Sequence, residues 1–173
     1  YRIDSKEFGG NNEKSWEQFA RQVRDCRKEA HANTPGQIYF NAKTIDGPAH
    51  AGLGGYLADK VYNHPALVPL VDWKEHVEYK APKAVKVTGN KLQWKPVKAD
   101  EKAIMRYTVY ALPQGMSIEE ASKGGDGIDA EYLLGVSYEP AFELPADRTD
   151  GYRYAVCAYD GYGYESKPGL SKH

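Results

Sequence analysis

Two kinds of hydrophobic spacing divide this chain. In the first part the apolar positions follow a helical period. Trp16, Phe19, Ala20, Val23, Cys26 and Ala30 recur three and four apart, while Glu17, Arg21, Arg24, Asp25 and Lys28 fill the opposite side. The spacing predicts an amphipathic helix with one buried stripe. Ser15, three positions before Gln18, has the pattern of a capping start, and Asn33-Thr34-Pro35-Gly36 supplies the stop. The short apolar run Ile38-Tyr39-Phe40 is bounded by turn residues, as expected of a strand covered on both faces. A further helix is expected over Leu53 to Tyr62, weakened at its start by Gly54 and Gly55.

Around Tyr79-Lys80-Ala81-Pro82 the period changes from helical to two, and a domain boundary is expected there, giving units 1–79 and 80–173. Val85 and Val87, then Leu92 and Trp94, then Tyr107, Val109 and Ala111, then Tyr152, Tyr154, Val156 and Ala158 alternate with polar residues between turn signals. Several short alternating strands predict a β-sandwich, with a short helical insertion at Ser117 to Ser122 and a surface loop at Lys123 to Gly127. The fold class expected overall is α+β. Cys157 is out of phase with its alternating neighbours and is expected on the outer face of its sheet, whereas Cys26 is expected on the buried stripe of the helix.

Composition narrows the function classes. A chain of 173 residues that is 41% hydrophobic and 27% charged is globular. The formal net charge of −1 balances 23 basic against 24 acidic residues and reads as no basic block, so nucleic acid is a poor partner. The longest apolar run, Ala66 to Val71, is interrupted by Pro69 and is far short of the ~20 residues a membrane-spanning helix requires. The chain opens at Tyr1 with neither an initiator Met nor a charged-then-apolar leader, from which a start removed by processing or cloning is expected. Neither the two cysteines nor His31, His50, His64, His76 and His173 have metal-ligand spacing, and neither a metal nor a cofactor is expected. Gly52-Leu53-Gly54-Gly55 lacks the spacing of a dinucleotide loop, and no Gly-x-Ser-x-Gly elbow occurs.

Residues 80 to 173 resemble a fibronectin type III module. The likeness rests on Leu92-x-Trp94 with Pro96, on Tyr107-x-Val109, and on Tyr152-x-Tyr154-x-Val156-x-Ala158-x-Asp160 before Gly161. It implies a brace or spacer, with the corner tyrosine that bonds back to the upstream backbone falling on Tyr152. Residues 1 to about 79 resemble the carboxy-terminal end of the barrel in bacterial family 10 glycosylhydrolase-like proteins, also described as glycosyl hydrolase lipoproteins. The matching text is Trp16 to Ala30 with Gln22-Val23-Arg24, Gly36 to Asn41, and Tyr62-x-x-Pro65-Ala66-Leu67-x-Pro69. This resemblance implies the last units of a (β/α) barrel. It also implies a parent that hydrolyses glycosidic bonds of a polysaccharide or peptidoglycan-like glycan, in an extracytoplasmic setting: periplasmic, secreted or a surface lipoprotein.

Glycoside hydrolysis needs two carboxyl groups. Of Asp4, Glu7, Asp46 and Asp59, only Asp4 and Asp46 follow a predicted strand, and the resemblance places the catalytic acids on earlier strands. This chain alone is therefore expected to be inactive. Asn41 and Lys43, just past the strand end, are candidates for binding sugar hydroxyls, with His50 at the rim. Tyr159, Tyr162 and Tyr164 are candidates for a sugar-stacking platform, which belongs to the rival reading of a non-catalytic carbohydrate-binding or adhesion module. A barrel strand without its neighbours would also favour self-association through its edge.

Overall fold

The computed structural model describes residues 12–28, 45, 51–68, 70–101, 105–123 and 127–172. The chain divides into two compact units, Tyr1–Asn63 and His64–His173, so the second unit begins ahead of the period change at Tyr79 to Pro82. The strand expected at Ile38 to Phe40, with the barrel edge and its self-association, lies outside the described residues.

In the first unit, helix α1 spans Asn12–Lys28 and helix α2 spans Leu53–Lys60. Their apolar stripes meet in one cluster of Ala20, Val23, Leu53, Leu57 and Val61, with Trp16, Phe19 and Tyr56 packed against it. Two expectations fail here. Ser15 is not the cap, because α1 starts three residues earlier and Ser15 is a buried position within it, one turn before Phe19 on the same face. Cys26, one turn beyond Val23, is exposed, because among the described residues the apolar cluster on this helix ends at Val23. Gly52 caps α2 with φ +99°, and a Cβ there would meet the Trp16 ring at 2.9 Å, so both conformation and space require glycine.

The second unit is built from seven strands: β1 Lys83–Thr88, β2 Lys91–Lys95, β3 Arg106–Pro113, β4 Leu133–Ser137, β5 Ala141–Glu143, β6 Tyr152–Tyr159 and β7 Gly169–Leu170. They form two antiparallel sheets, ordered β1-β2-β5 and β4-β3-β6-β7. Together with the helices this makes the chain α+β. Alternation puts Val85, Leu92 and Trp94 of one sheet and Tyr107, Val109, Ala111, Tyr154, Val156 and Ala158 of the other into a single core cluster. The four strands read from period two are present. Strands β4, β5 and β7 were not anticipated.

Strands β3 and β6 are buried on both faces. Their other face, with Tyr110, Leu112, Ala155 and Cys157, packs under Ala121, Ile128 and Leu133 in a second cluster. This corrects the expectation for Cys157. It does face away from the alternating core, but that face is covered, and Cys157 is only 3% exposed. The cover includes the expected insertion, helix α3 at Ile118–Ala121, whose Ser117 and Glu120 satisfy each other's backbone amides in a capping box.

The corner bond also moves. The Tyr154 hydroxyl donates to the Arg148 carbonyl, with the Thr149 carbonyl at 3.3 Å. Tyr152, the residue expected in that role, instead accepts a hydrogen bond from the Arg148 guanidinium at 3.1 Å. The two tyrosines share a face of β6, and the reason is position along the strand: Tyr154 lies in the core, whereas Tyr152, at the start of the strand, is half-buried at the edge of the same cluster.

Candidate functional site

The sequence-predicted site divides in two. Asp4, Asn41, Lys43, Asp46 and His50 lie outside the described residues. The three tyrosines are described, and they form no row. Tyr159 is 1% exposed and belongs to the interior, which removes it from any platform. Tyr162 is 41% exposed. Tyr164 is half-buried and already stacked on His76, ring centres 3.7 Å apart and planes at 13°. Asp160, buried at the end of β6, sets this turn by accepting from the amides of Tyr162 at 2.8 Å and Tyr164 at 2.9 Å. The sequence reading used Asp160 only as a family mark; its role is to shape the turn.

A segment running from His76 to Lys83 borders two concavities. One, of about 590 Å³, is lined by His76 to Ala81, Lys83 and Tyr164 to Lys167. The other, of about 510 Å³, is lined by Val77 to Ala81, Lys83 and Lys95 to Asp100. Tyr79 and Val97 pack against the core between the sheets, and the Val97 amide donates to the Tyr107 hydroxyl at 2.9 Å, so this second concavity has an anchored, partly apolar floor.

Glu165 sits at the edge of the first concavity with one carboxylate oxygen committed inward. Oε1 accepts from the Thr108 hydroxyl and from the Tyr110 hydroxyl at 2.8 Å. Burial holds this carboxyl above the usual range, against the opposing effect of its two donors. The same burial, with Glu165 nearby, pushes the Tyr110 hydroxyl and the Cys157 thiol up. Cys157 and Glu165 also line a smaller cavity of about 170 Å³. A thiol held protonated is a poor nucleophile, and Glu165 is the one acid among the described residues lining that cavity, so the cluster is a polar tie between β3 and the β6–β7 connection. Among the described residues, no group of three His, Cys, Asp or Glu side chains could hold a metal ion, and no helix is long and apolar enough to cross a membrane.

The feature that sequence reasoning missed is positive charge. Between Glu78 and Asp100 there is no acidic residue and there are six lysines, Lys80, Lys83, Lys86, Lys91, Lys95 and Lys98. Their spacing through a hairpin hid them from a search for a contiguous basic block. Comparison of the chain with family models, curated proteins and solved structures yields no match.

Proposed function

We propose that the chain is the carboxy-terminal part of a glycosyl hydrolase-like barrel protein whose second unit is a fibronectin type III-like sandwich acting as a non-catalytic brace. The observation that carries the module reading is the strand order, β1-β2-β5 against β4-β3-β6-β7, with both sheets contributing to one core. The Tyr154 bond to the Arg148 carbonyl supports it as well, since it closes the corner before β6 as that fold's tyrosine does. The bracing role is supported by the use of polar side chains as ties: the half-buried Glu165 is held by Thr108 and Tyr110. The hydrolytic role of the parent, its polysaccharide or peptidoglycan-like substrate and its extracytoplasmic setting rest on the resemblance of the first unit.

Reducing ends released from peptidoglycan and from a neutral polysaccharide by the purified chain test this reading, and none are expected. Release abolished by Asp46→Ala or Asp4→Ala would give this chain a working acid of its own and overturn it. Residues 64–173 alone should unfold in one cooperative transition. A fragment without cooperative unfolding would remove the module reading.

A further inference from the structure

The lysines of the β1–β2 hairpin are placed in a way that stability alone does not explain. Lys83 and Lys95 are direct cross-strand partners, both exposed, and like charges opposite one another destabilise a sheet. A register irregularity between Lys83 and Lys86 accompanies this pairing, and within it Ala84 adopts φ +54°, a left-handed conformation disfavoured for any residue with a Cβ. Bulges re-aim side chains, and this irregularity accompanies the pairing of two lysine positions across the strands. Lys80 and Lys98 border the same concavity of about 510 Å³, so four lysines, against the two acids Glu78 and Asp100 near the ends of the lining segments, surround a floor that includes Tyr79 and Val97. Lys86 and Lys91 continue the charge along the exposed face of the hairpin. None of the six forms an ion pair among the described residues.

We propose that this concavity and the adjoining hairpin face bind an anionic polysaccharide, with carboxylate or sulfate groups held between Lys83, Lys95, Lys80 and Lys98 and the apolar side of the sugar resting against Val97 and Tyr79. An anion between Lys83 and Lys95 turns a repulsive pair into a bridged one, which is why the chemistry calls for negative charge. Lysine is a flexible point charge without the planar fork that selects phosphate geometry, and it suits a polymer whose charges vary in position. Single-stranded nucleic acid would need exposed aromatic rings for its bases, and the one ring among the described residues lining this concavity, Tyr79, is packed against the core. A bilayer presents a plane that does not enter a concavity. The inference stands on the hairpin alone and holds whether or not the chain belongs to a glycosidase.

Titration of the whole chain with polygalacturonate, by calorimetry at low ionic strength, tests it. Polygalacturonate should bind, neutral dextran should not, and added salt should weaken the complex. The variant Lys95→Gln/Lys98→Gln should weaken binding about tenfold, while Lys74→Gln/Lys172→Gln, which removes the same charge elsewhere, should leave it within about twofold. Thermal unfolding of both variants identifies any loss due to misfolding, and the single variant Lys95→Gln, which relieves the repulsion with Lys83, should fold at least as well as the parent chain and still bind more weakly. No binding of polygalacturonate, equal losses in the two double variants, or tighter binding to an oligonucleotide or to phosphatidylglycerol vesicles would overturn the proposal.

Discussion

Replacing Tyr154 by Phe isolates the corner bond, because the ring stays in the core and only the hydroxyl is lost. Tyr154 is 1% exposed, and its hydroxyl donates to the Arg148 carbonyl in the turn that precedes β6. The substitution removes one hydrogen bond and leaves that carbonyl without its donor, which costs about 1–3 kcal/mol when the group is shielded from water. For a domain of about 100 residues each kcal/mol lowers Tm by roughly 4–8 °C, so a loss of about 2 kcal/mol corresponds to a drop of about 10 °C. Tyr152→Phe is the internal control. It removes only an acceptor for the Arg148 guanidinium, which remains over the ring at 5.3 Å, and should change stability by no more than about 0.5 kcal/mol. Urea unfolding followed by far-UV circular dichroism, with an unchanged slope against denaturant, gives both numbers. If Tyr154→Phe is as mild as Tyr152→Phe, or if the order is reversed, the corner does not hold this turn and the argument fails.

Native thiol labelling should modify Cys26 and spare Cys157, since Cys26 is exposed while burial both shields Cys157 and disfavours its thiolate; the reverse order would contradict the covered outer face of β6. Glu165 has a folded-state pKa raised above its usual 4.5 by burial, so its contribution to stability is full below that value and is lost as pH rises through the folded pKa; Glu165→Gln should flatten stability against pH above about 4.5, and an unchanged profile would refute the burial argument. Gly169→Ala should destabilise by about 1–3 kcal/mol or more, because the added Cβ would stand 2.0 Å from the Pro82 carbonyl oxygen, a backbone atom that cannot swing away; a neutral result by chemical denaturation would mean that β7 and the start of β1 are not so closely apposed.

Periodicity carried the parts of the fold in which one face of an element decides its burial. It located α1, α2, β2, β3 and β6 by their phase, and β1 as well, although there only Val85 is buried and Val87, expected on the same face, is 40% exposed. It failed where an element offers no run long enough to establish a phase. Strand β5 has three residues and β7 has two, too few to show alternation, and β4 carries Gly135, which packs beneath the Phe142 ring instead of contributing a side chain. The start of α1 was misplaced because Ser15 has the chemistry of a cap but the position of a core residue, and burial outweighed capping. For β6 the phase was right and the inference drawn from it was not: Cys157 does oppose Val156, yet the residues packed with it, Ile118, Ala121 and Ile128 among them, come from elsewhere in the sequence and leave no mark on the strand's own pattern. The stacking of Tyr164 was hidden for the same reason, since the ring of His76 that covers it lies far away along the chain.

The two sheets therefore differ in what their outer faces can do. The outer face of β4-β3-β6-β7 is closed in part by α3, Ile128 and Leu133, and within that closure the polar groups of Thr108, Tyr110 and Glu165 satisfy one another, so this surface serves the fold. Among the described residues the outer face of β1-β2-β5 has no such cover. Its inward positions, Val85, Leu92 and Trp94, are in the core, and by alternation Lys91, Gln93 and Lys95 face outward, with Lys86 opposite Gln93 and Glu143 opposite Lys91. Charge on the open face of an antiparallel sheet keeps it soluble, which accounts for lysines there in general but not for two of them in direct opposition beside a strained alanine. That difference distinguishes the general role of the face from the specific one proposed for it. Chemical denaturation in the absence of polyanion should therefore show Lys95→Gln more stable than the parent chain, and polygalacturonate should narrow the gap by stabilising the parent more than the variant.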